Sequence, residues 1–335
     1  MVLVTGGAGF IGSNLIKYLI NEYPEYKIIN FDKLTTSGNL NNLISIENKS
    51  NYVFLKGDIS LHKDVKNVFE EFNPDYVVHL AAESYVEKSL INPDIYLLTN
   101  ILGTQILLKY SREYNITKFV HLSTDEVYGS SQKKKEYFTE NSPLAPNNPY
   151  AASKSSADLL LRVANQTFGQ RVNIIRSCNC YGVYQFPDKL IPLMIHNSIN
   201  DKELPVFGDG KYIRSWIHVL DLCRAIDFVM HNGKPGETYN VSSNAEWENL
   251  DLVEHILSKL DKSKDLIRFV IDRPGHDYRY SLDSTKIKNE LDWKPLIEFE
   301  KGLEKTIEWY QNNQYWIEEI LSGEYTNYYE QVYGV

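Results

Sequence analysis

A short apolar strand that runs straight into a glycine-rich turn and then a helix constrains this chain more than any other stretch. Val2-Leu3-Val4-Thr5 reads as a buried strand, and Gly6-Gly7-Ala8-Gly9-Phe10-Ile11-Gly12 follows it. Ile11, Leu15, Ile16 and Leu19 then recur at helical spacing. Gly7, Gly9 and Gly12 satisfy G-x-G-x-x-G in the order strand, turn, helix. The glycines permit the tight turn and let a pyrophosphate reach the helix N-terminus, where free N–H groups and the helix dipole favour an anion. A chain that opens this way is expected to build a parallel α/β sheet around a dinucleotide.

The strands that follow fit that expectation. Residues 27–32 read as a second strand ending in Asp32, about twenty residues past the glycines. A carboxylate there accepts hydrogen bonds from the adenine ribose hydroxyls and repels a 2′-phosphate, so NAD is expected rather than NADP. Residues 52–55 make a third strand leading to Gly57-Asp58-Ile59, with Asp58 placed to meet the adenine. Residues 76–80 make a fourth, and Ala81-Ala82-Glu83-Ser84 after it are small enough for close backbone approach to a cofactor. Residues 93–114 read as one long helix, apolar nearly all round through Ile95, Leu98, Ile101, Leu102, Ile106, Leu107 and Leu108. One face should cover the sheet and another should meet a second subunit. Leu159, Leu160, Leu161 and Val163, on the helix that opens near Tyr150, extend that surface, and a homodimer is expected.

Composition narrows the classes. At 335 residues the chain is long for one core, so a large α/β unit with a second lobe is expected. A net charge of −9 argues against a nucleic-acid binder, which needs a basic face. Cys178, Cys180 and Cys223 are too few and too poorly spaced for a disulfide framework or a four-cysteine zinc site. Cys178-Asn179-Cys180 reads as small residues at a strand end, no metal is expected, and the thiols fit a reducing compartment. Met1 leads directly into the glycine turn with no signal-peptide pattern, and no apolar run is long enough to cross a membrane. A cytoplasmic protein is therefore expected. Lys133, Lys134 and Lys135 read as a solvated loop, and the tyrosine-rich tail at 325–333 has no assigned role.

Two stretches carry candidate chemistry. The strand at 119–122 runs into Ser123-Thr124-Asp125-Glu126-Val127-Tyr128-Gly129, putting two adjacent carboxylates on the rim where an open α/β sheet binds ligands. Tyr150-Ala151-Ala152-Ser153-Lys154 opens a helix, with Tyr150 and Lys154 four apart on one face. An ammonium beside the phenol, with a positive nicotinamide nearby, should lower the tyrosine pKa and make it a usable base. Beyond residue 176 the pattern is less regular. There, Lys189, Arg214, Arg273 and His276 can neutralise a diphosphate, and Phe207 can stack on a base.

Thr5-Gly6-x-x-Gly9-x-x-Gly12 together with Tyr150-x-x-x-Lys154 resembles the extended short-chain dehydrogenase/reductase superfamily. Within it the chain is similar to the dTDP-glucose 4,6-dehydratases over nearly its whole length. The matching stretches are Asp32-Lys33-Leu34-Thr35, Leu80-Ala81-Ala82-Glu83-Ser84, residues 123–129, residues 184–192 and residues 272–277, with the Asp125-Glu126 pair the most specific. The resemblance implies a Rossmann-type doubly wound parallel sheet of about seven strands with a smaller mixed α/β C-terminal substrate lobe. The corresponding division is an NAD-binding domain at 1–177, with 213–241 returning to it, and a sugar-nucleotide domain over 178–335.

It further implies catalysis by Thr124, Asp125, Glu126, Tyr150 and Lys154. NAD would be held by Gly6, Gly9, Phe10, Ile11, Gly12, Asp32, Lys33, Leu34, Thr35, Asp58, Ile59, Leu80, Ala81, Ala82, Ser84, Thr99, Tyr150, Lys154 and Cys180. The sugar nucleotide, dTDP-glucose, would be held by Ser84, Thr124, Asn179, Lys189, Leu190, Pro205, Phe207, Arg214, Asn249, Arg273 and His276. The chain departs from the family pattern at Thr36, Tyr85, Glu87, Lys88 and Cys180, where an aromatic residue, histidine, aspartate, arginine and asparagine are usual. Three rivals stay open: a dehydratase of a UDP-sugar, a sugar-nucleotide 4-epimerase, and a silent NAD-binding regulatory protein. An epimerase needs no acid at residue 125, and a silent relative tends to lose one of Asp125, Glu126, Tyr150 and Lys154.

Overall fold

The structure, a computed structural model, describes residues 1–131 and 136–321. The Lys133, Lys134 and Lys135 run and the tail at 325–333 lie outside the described residues. Strand β1 (Val2–Thr5) is buried at every position and leads through the glycine turn into α1 (Phe10–Glu22). The chain then alternates: β2 (Ile28–Asp32), β3 (Tyr52–Lys56), α2 (His62–Phe72), β4 (Tyr76–His79), α3 (Val86–Ile91), α4 (Asp94–Tyr96), α5 (Thr104–Glu113) and β5 (Lys118–Thr124). Helix α6 (Pro149–Phe168) and β6 (Val172–Ser177) complete this half. Asn148 caps α6, Pro149 opens it, and Gly169 ends it in the left-handed region at φ 65°.

The second half comprises β7 (Asn179–Tyr181), α7 (Leu190–Ile199), β8 (Leu204–Phe207), β9 (Ile213–His218), α8 (Val219–Asn232), β10 (Thr238–Val241) and β11 (Ala245–Glu248). It closes with α9 (Asn249–Lys259), β12 (Ile267–Val270), α10 (Thr285–Leu291), α11 (Phe299–Asn312) and α12 (Gln314–Ile320).

Among the described residues a seven-stranded sheet has the order β10-β6-β5-β4-β1-β2-β3, with every pair parallel. The chain winds outward from β1 in both directions, so the order reverses between β1 and β4. One face is covered by α1 and α8, through Leu15, Ile16, Leu19, Ile226 and Val229. The other is covered by α2, α5 and α6, through Val65, Phe69, Ile106, Leu107 and Leu161. Side chains buried on both faces explain why these strands read as continuous apolar runs rather than alternating ones. A three-stranded sheet β11-β9-β7, the β12-β8 pair and helices α7, α9, α11 and α12 make a second core around Ile191, Leu252, Ile256, Leu303 and Trp316.

Two expectations change. Of the stretch 213–241, α8 and β10 return to the large sheet, whereas β9 joins β7 and β11 in the smaller one. The helix expected over 93–114 is helical but not uniformly α, because Leu97–Gly103 is a π-helical stretch between α4 and α5. The widened turn lets Asn100 reach inward. Its amide accepts from the Glu83 N–H at 2.9 Å and donates to the Glu83 carbonyl at 3.0 Å and to Ser153 Oγ at 2.8 Å. Pattern reading misses such bulges, which concentrate at functional sites. Leu97, Leu98 and Leu102 on this helical run and Leu159 and Val163 on α6 are exposed, while Leu161 turns inward.

Candidate active site

A cleft of about 430 Å³ opens between the C-terminal ends of the large sheet's strands and the second lobe. Every residue assigned to the site from the sequence lines it except Leu34. Leu34 instead shapes the turn, donating its N–H to Asp32 Oδ1 at 2.8 Å. Asp32 Oδ2 accepts from the Ala8 N–H at 2.9 Å, tying the glycine turn to the end of β2. Gly6 lies at φ +71°, and a Cβ there would stand 2.6 Å from the Ala81 nitrogen, so the β1 and β4 turns approach as only glycine allows. Gly9 occupies the N-cap of α1 and no side chain caps that end, which leaves its first N–H groups to the cleft.

Lys33 is engaged by Asp58 at 2.7 Å, so the cation next to Asp32 is already committed. Burial opposes ionisation of Asp58, but Lys33 and the Ser60 donors outweigh it and hold the carboxyl below its usual range. The Ser37 and Tyr85 hydroxyls lie 2.7 Å apart and join the loops after β2 and β4. Because β1 lies between those strands, this bond crosses the crevice above the glycine turn. An uncapped helix start, a glycine cradle and the Asp32 carboxylate fit a dinucleotide.

The carboxylate pair sits where β5 ends. Asp125 is 2% exposed; Oδ1 accepts from Thr124 Oγ1 at 3.3 Å, and Oδ2 has no hydrogen-bond partner among the described residues. Burial, reinforced by the Glu126 charge, pushes its carboxyl up to about 8. Glu126 is less enclosed, and its Oε2 accepts from Asn148 Nδ2 at 3.1 Å.

The Thr124 side chain stands by the Tyr150 phenol and favours its ionised form. The expected lowering of its pKa by Lys154 is overturned: burial and the Glu126 and Asp125 charges push the phenol up. Lys154 donates instead to the Leu122 carbonyl at 2.7 Å and to His121 Nε2 at 3.1 Å, and burial lowers its own pKa to about 8. Behind it, Arg176 Nε pairs with Asp158 at 2.8 Å, and the same guanidinium donates to Tyr128 at 2.8 Å. Arg176 and Asp158 carried no sequence signal that marks a site. They are legible only once α6 is laid on β6.

On the lobe side, Arg214 donates to the main-chain carbonyls of Ile213 at 2.8 Å and Asp277 at 2.9 Å. Arg273 pairs with Glu87, and Lys189 lies 3.5 Å from Asp188. His276 was expected to help neutralise a diphosphate. Burial and the neighbouring Arg273 and Arg214 hold it at about 3, so it is neutral, stacked on Tyr212 with Nδ1 2.8 Å from Asp272. Asn249 Oδ1 and Arg273 Nε are shielded atoms without a hydrogen-bond partner among the described residues. Both residues line the cleft, so a polar ligand would satisfy them. Cys178, Cys180 and Cys223 are free. Among the described residues no three His, Cys, Asp or Glu side chains gather to hold a metal.

Residues 3–306 match the family described as GDP-mannose 4,6 dehydratase, and the chain belongs to that family. A dTDP-glucose 4,6-dehydratase of Salmonella typhimurium is 42% identical over 99% of this chain and 98% of its own. Among solved structures, a dTDP-glucose 4,6-dehydratase from Bacillus anthracis in complex with NAD is 46% identical, with a TM-score of 0.89 over 95% of this chain and 99% of its own. Another from Streptomyces venezuelae, solved with NAD and dTDP, is 41% identical, with a TM-score of 0.92 over 95% and 99% of the two chains.

The state of Asp125 has a measurable consequence for stability. Its folded value of about 8 lies above its ordinary 3.8, so between those limits folding takes up a proton and loses stability as pH rises. Replacing it removes that cost. In urea unfolding, Asp125→Asn should gain stability relative to the parent from about pH 4 upward, the gain levelling off near pH 8. A difference that does not change with pH would contradict the protonated state.

Proposed function

We propose that this chain is an NAD-dependent dTDP-glucose 4,6-dehydratase, a hydro-lyase that converts dTDP-glucose to its 4-keto-6-deoxy derivative for deoxysugar synthesis. The observation that carries the reading is the Asp125-Glu126 pair, one member held protonated with a free oxygen and the other hydrogen-bonded within the cleft. Names and ligands of the family's relatives support it.

In this reading the large sheet with its helices, including α8 and β10, holds NAD, and the C-terminal lobe holds the sugar nucleotide. NAD, when bound, would supply a hydride acceptor for C4 and a hydride donor for C6, and a positive nicotinamide would favour the Tyr150 phenolate. Tyr150 takes the proton of the 4-hydroxyl while Thr124 holds the 4-oxygen, and Lys154 supports that end of the cleft. The resulting ketone acidifies C5, and Glu126 removes the C5 proton as general base. Asp125 delivers its proton to the 6-hydroxyl, and water leaves. Glu126 then returns a proton to C5. Arg214, Arg273 and Lys189 face the diphosphate, Phe207 the base, and Asn179 and Asn249 the remaining polar groups. A 4-epimerase would give Asp125 no task.

The Ser37–Tyr85 bond across the crevice supports retention of NAD through the cycle. No helix among the described residues is long and apolar enough to cross a membrane, and three free thiols support a cytoplasmic setting. Leu97, Leu98, Leu102, Leu159 and Val163 make one exposed apolar face on adjoining helices, which supports a homodimer. Light scattering at micromolar concentration should give twice the chain mass; a fully active monomer would sink the dimer.

The reaction itself is tested with substrate deuterated at C4. The label should appear at C6 of the same product molecule, whereas label lost to solvent, or returned to C4 of an inverted sugar, would reject the dehydratase. Glu126→Gln should still produce the absorbance of reduced cofactor but no keto-deoxy product, with turnover down about a hundredfold or more. Tyr150→Phe should produce neither.

A further inference from the structure

Asn148 lies immediately before the first residue of α6 and uses its two amide atoms on different partners. Its Oδ1 accepts from the Ala151 N–H at 2.8 Å, capping the helix that carries Tyr150 and Lys154. Its Nδ2 donates to Glu126 Oε2 at 3.1 Å. The residue is 5% exposed and does not line the cleft. A cap needs only an acceptor, and serine or aspartate would cap as well. The donating half of the amide is therefore unexplained by the helix. It is explained by Glu126, whose main chain bonds Thr124 Oγ1 and the Gly129 N–H, while among the described residues its carboxylate has a stated donor in Asn148, which orients it.

We propose that Asn148 is a positioning residue for the elimination half-reaction: its amide donor aims the Glu126 carboxylate at the C5 proton. Two groups that act in succession, Tyr150 and Glu126, are thereby referred to one rigid element, since the cap stands two residues before the tyrosine. The surroundings hold Asn148 in place. The preceding Asn147 donates to Asp277 Oδ1 at 2.6 Å, and a Cβ on Gly275 would come within 3.8 Å of Asn148 Cβ. The bond acts on Glu126 alone, so its loss should slow C5 deprotonation and leave the first oxidation untouched. This proposal rests on the dehydratase reading given above.

Asn148→Asp and Asn148→Ser separate the two halves of the amide. Aspartate keeps the shape and the cap but turns an acceptor towards Glu126, and serine keeps the cap with a shorter reach. Each variant, loaded with NAD, is mixed with dTDP-glucose in D2O beside the parent. Three quantities are followed: the rise of reduced-cofactor absorbance in a single turnover, deuterium entering at C5, and kcat. The thermal midpoint is recorded as well.

Both variants should reduce the cofactor at the parental rate and then hold it reduced. C5 labelling and kcat should fall together by about tenfold to a hundredfold, the worth of a hydrogen bond to a charged group, with the thermal midpoint unchanged. If one variant fails to fold, the other decides. Parental C5 labelling in a folded variant would overturn the proposal. So would an equal fall in cofactor reduction and C5 labelling, which would mark a cap and nothing more. A parent enzyme that forms no 4-keto-6-deoxy product would overturn the dehydratase reading itself, and the proposal with it.

Discussion

Two carboxylates adjacent in sequence, in a cleft closed off from most of the solvent, cannot both ionise cheaply. That constraint organises the site. Asp125 is the more buried, and burial with the neighbouring charge holds its proton to about pH 8. Glu126, one residue on, lies in the short 3-10 turn at Asp125–Tyr128 and finds a donor in Asn148. A difference in burial between neighbours thus separates a group able to give a proton from one able to take one. Burial, ahead of the neighbouring carboxylate charges, also raises Tyr150, so in the proposed function the phenol would need a positive neighbour in the cleft to act as a base.

The pair is where it is because β5 lies in the middle of a sheet whose strands all run the same way. Parallel strands bring their C-terminal ends to one edge, and the order reverses between β1 and β4, which leaves a crevice there. The glycine turn after β1, Asp32 after β2, the small residues after β4 and the carboxylates after β5 converge on it. Helix α6 crosses above β5 and sets Tyr150 and Lys154 against the same edge, with Lys154 anchored on the Leu122 carbonyl. The second lobe closes the cleft from outside with Arg214, Arg273 and Lys189 already held by protein partners. In the proposed function these cations would be oriented before a diphosphate arrives, which would leave less ordering to be done on binding.

Much of this was legible in the sequence because it rests on local pattern. The glycine turn, the strands with apolar runs, Asp32 and the Tyr150/Lys154 spacing are all read within a few residues of chain. What was not legible depends on partners far apart in sequence. In the π-helical stretch at Leu97–Gly103, Asn100 reaches Glu83 and Ser153, partners that no window around residue 100 contains. His276 reads as a cation in the sequence, but the fold buries it and sets it beside Arg273 and Arg214, which lower its pKa. Lys154 looked like the group that lowers the Tyr150 pKa until it was seen to point at Leu122 and His121. Asn148 caps α6, and its second bond, which spans 22 residues, appears only in three dimensions. Strand β9 pairs with β7 and β11 in the smaller sheet, because the pattern of a single strand carries no label for the sheet it joins.

The central claim is that Asp125 keeps its proton at neutral pH while Glu126 beside it is the base. Infrared difference spectra between the parent and single variants test this without turnover, since an un-ionised carboxyl has its own C=O stretching band. Near neutral pH the parent should show such a band, lost on titration about pH 8, that Asp125→Asn removes. Glu126→Gln should retain it, with its titration midpoint moved to lower pH because a neighbouring negative charge is gone. A band that Glu126→Gln removes and Asp125→Asn leaves in place would contradict the account.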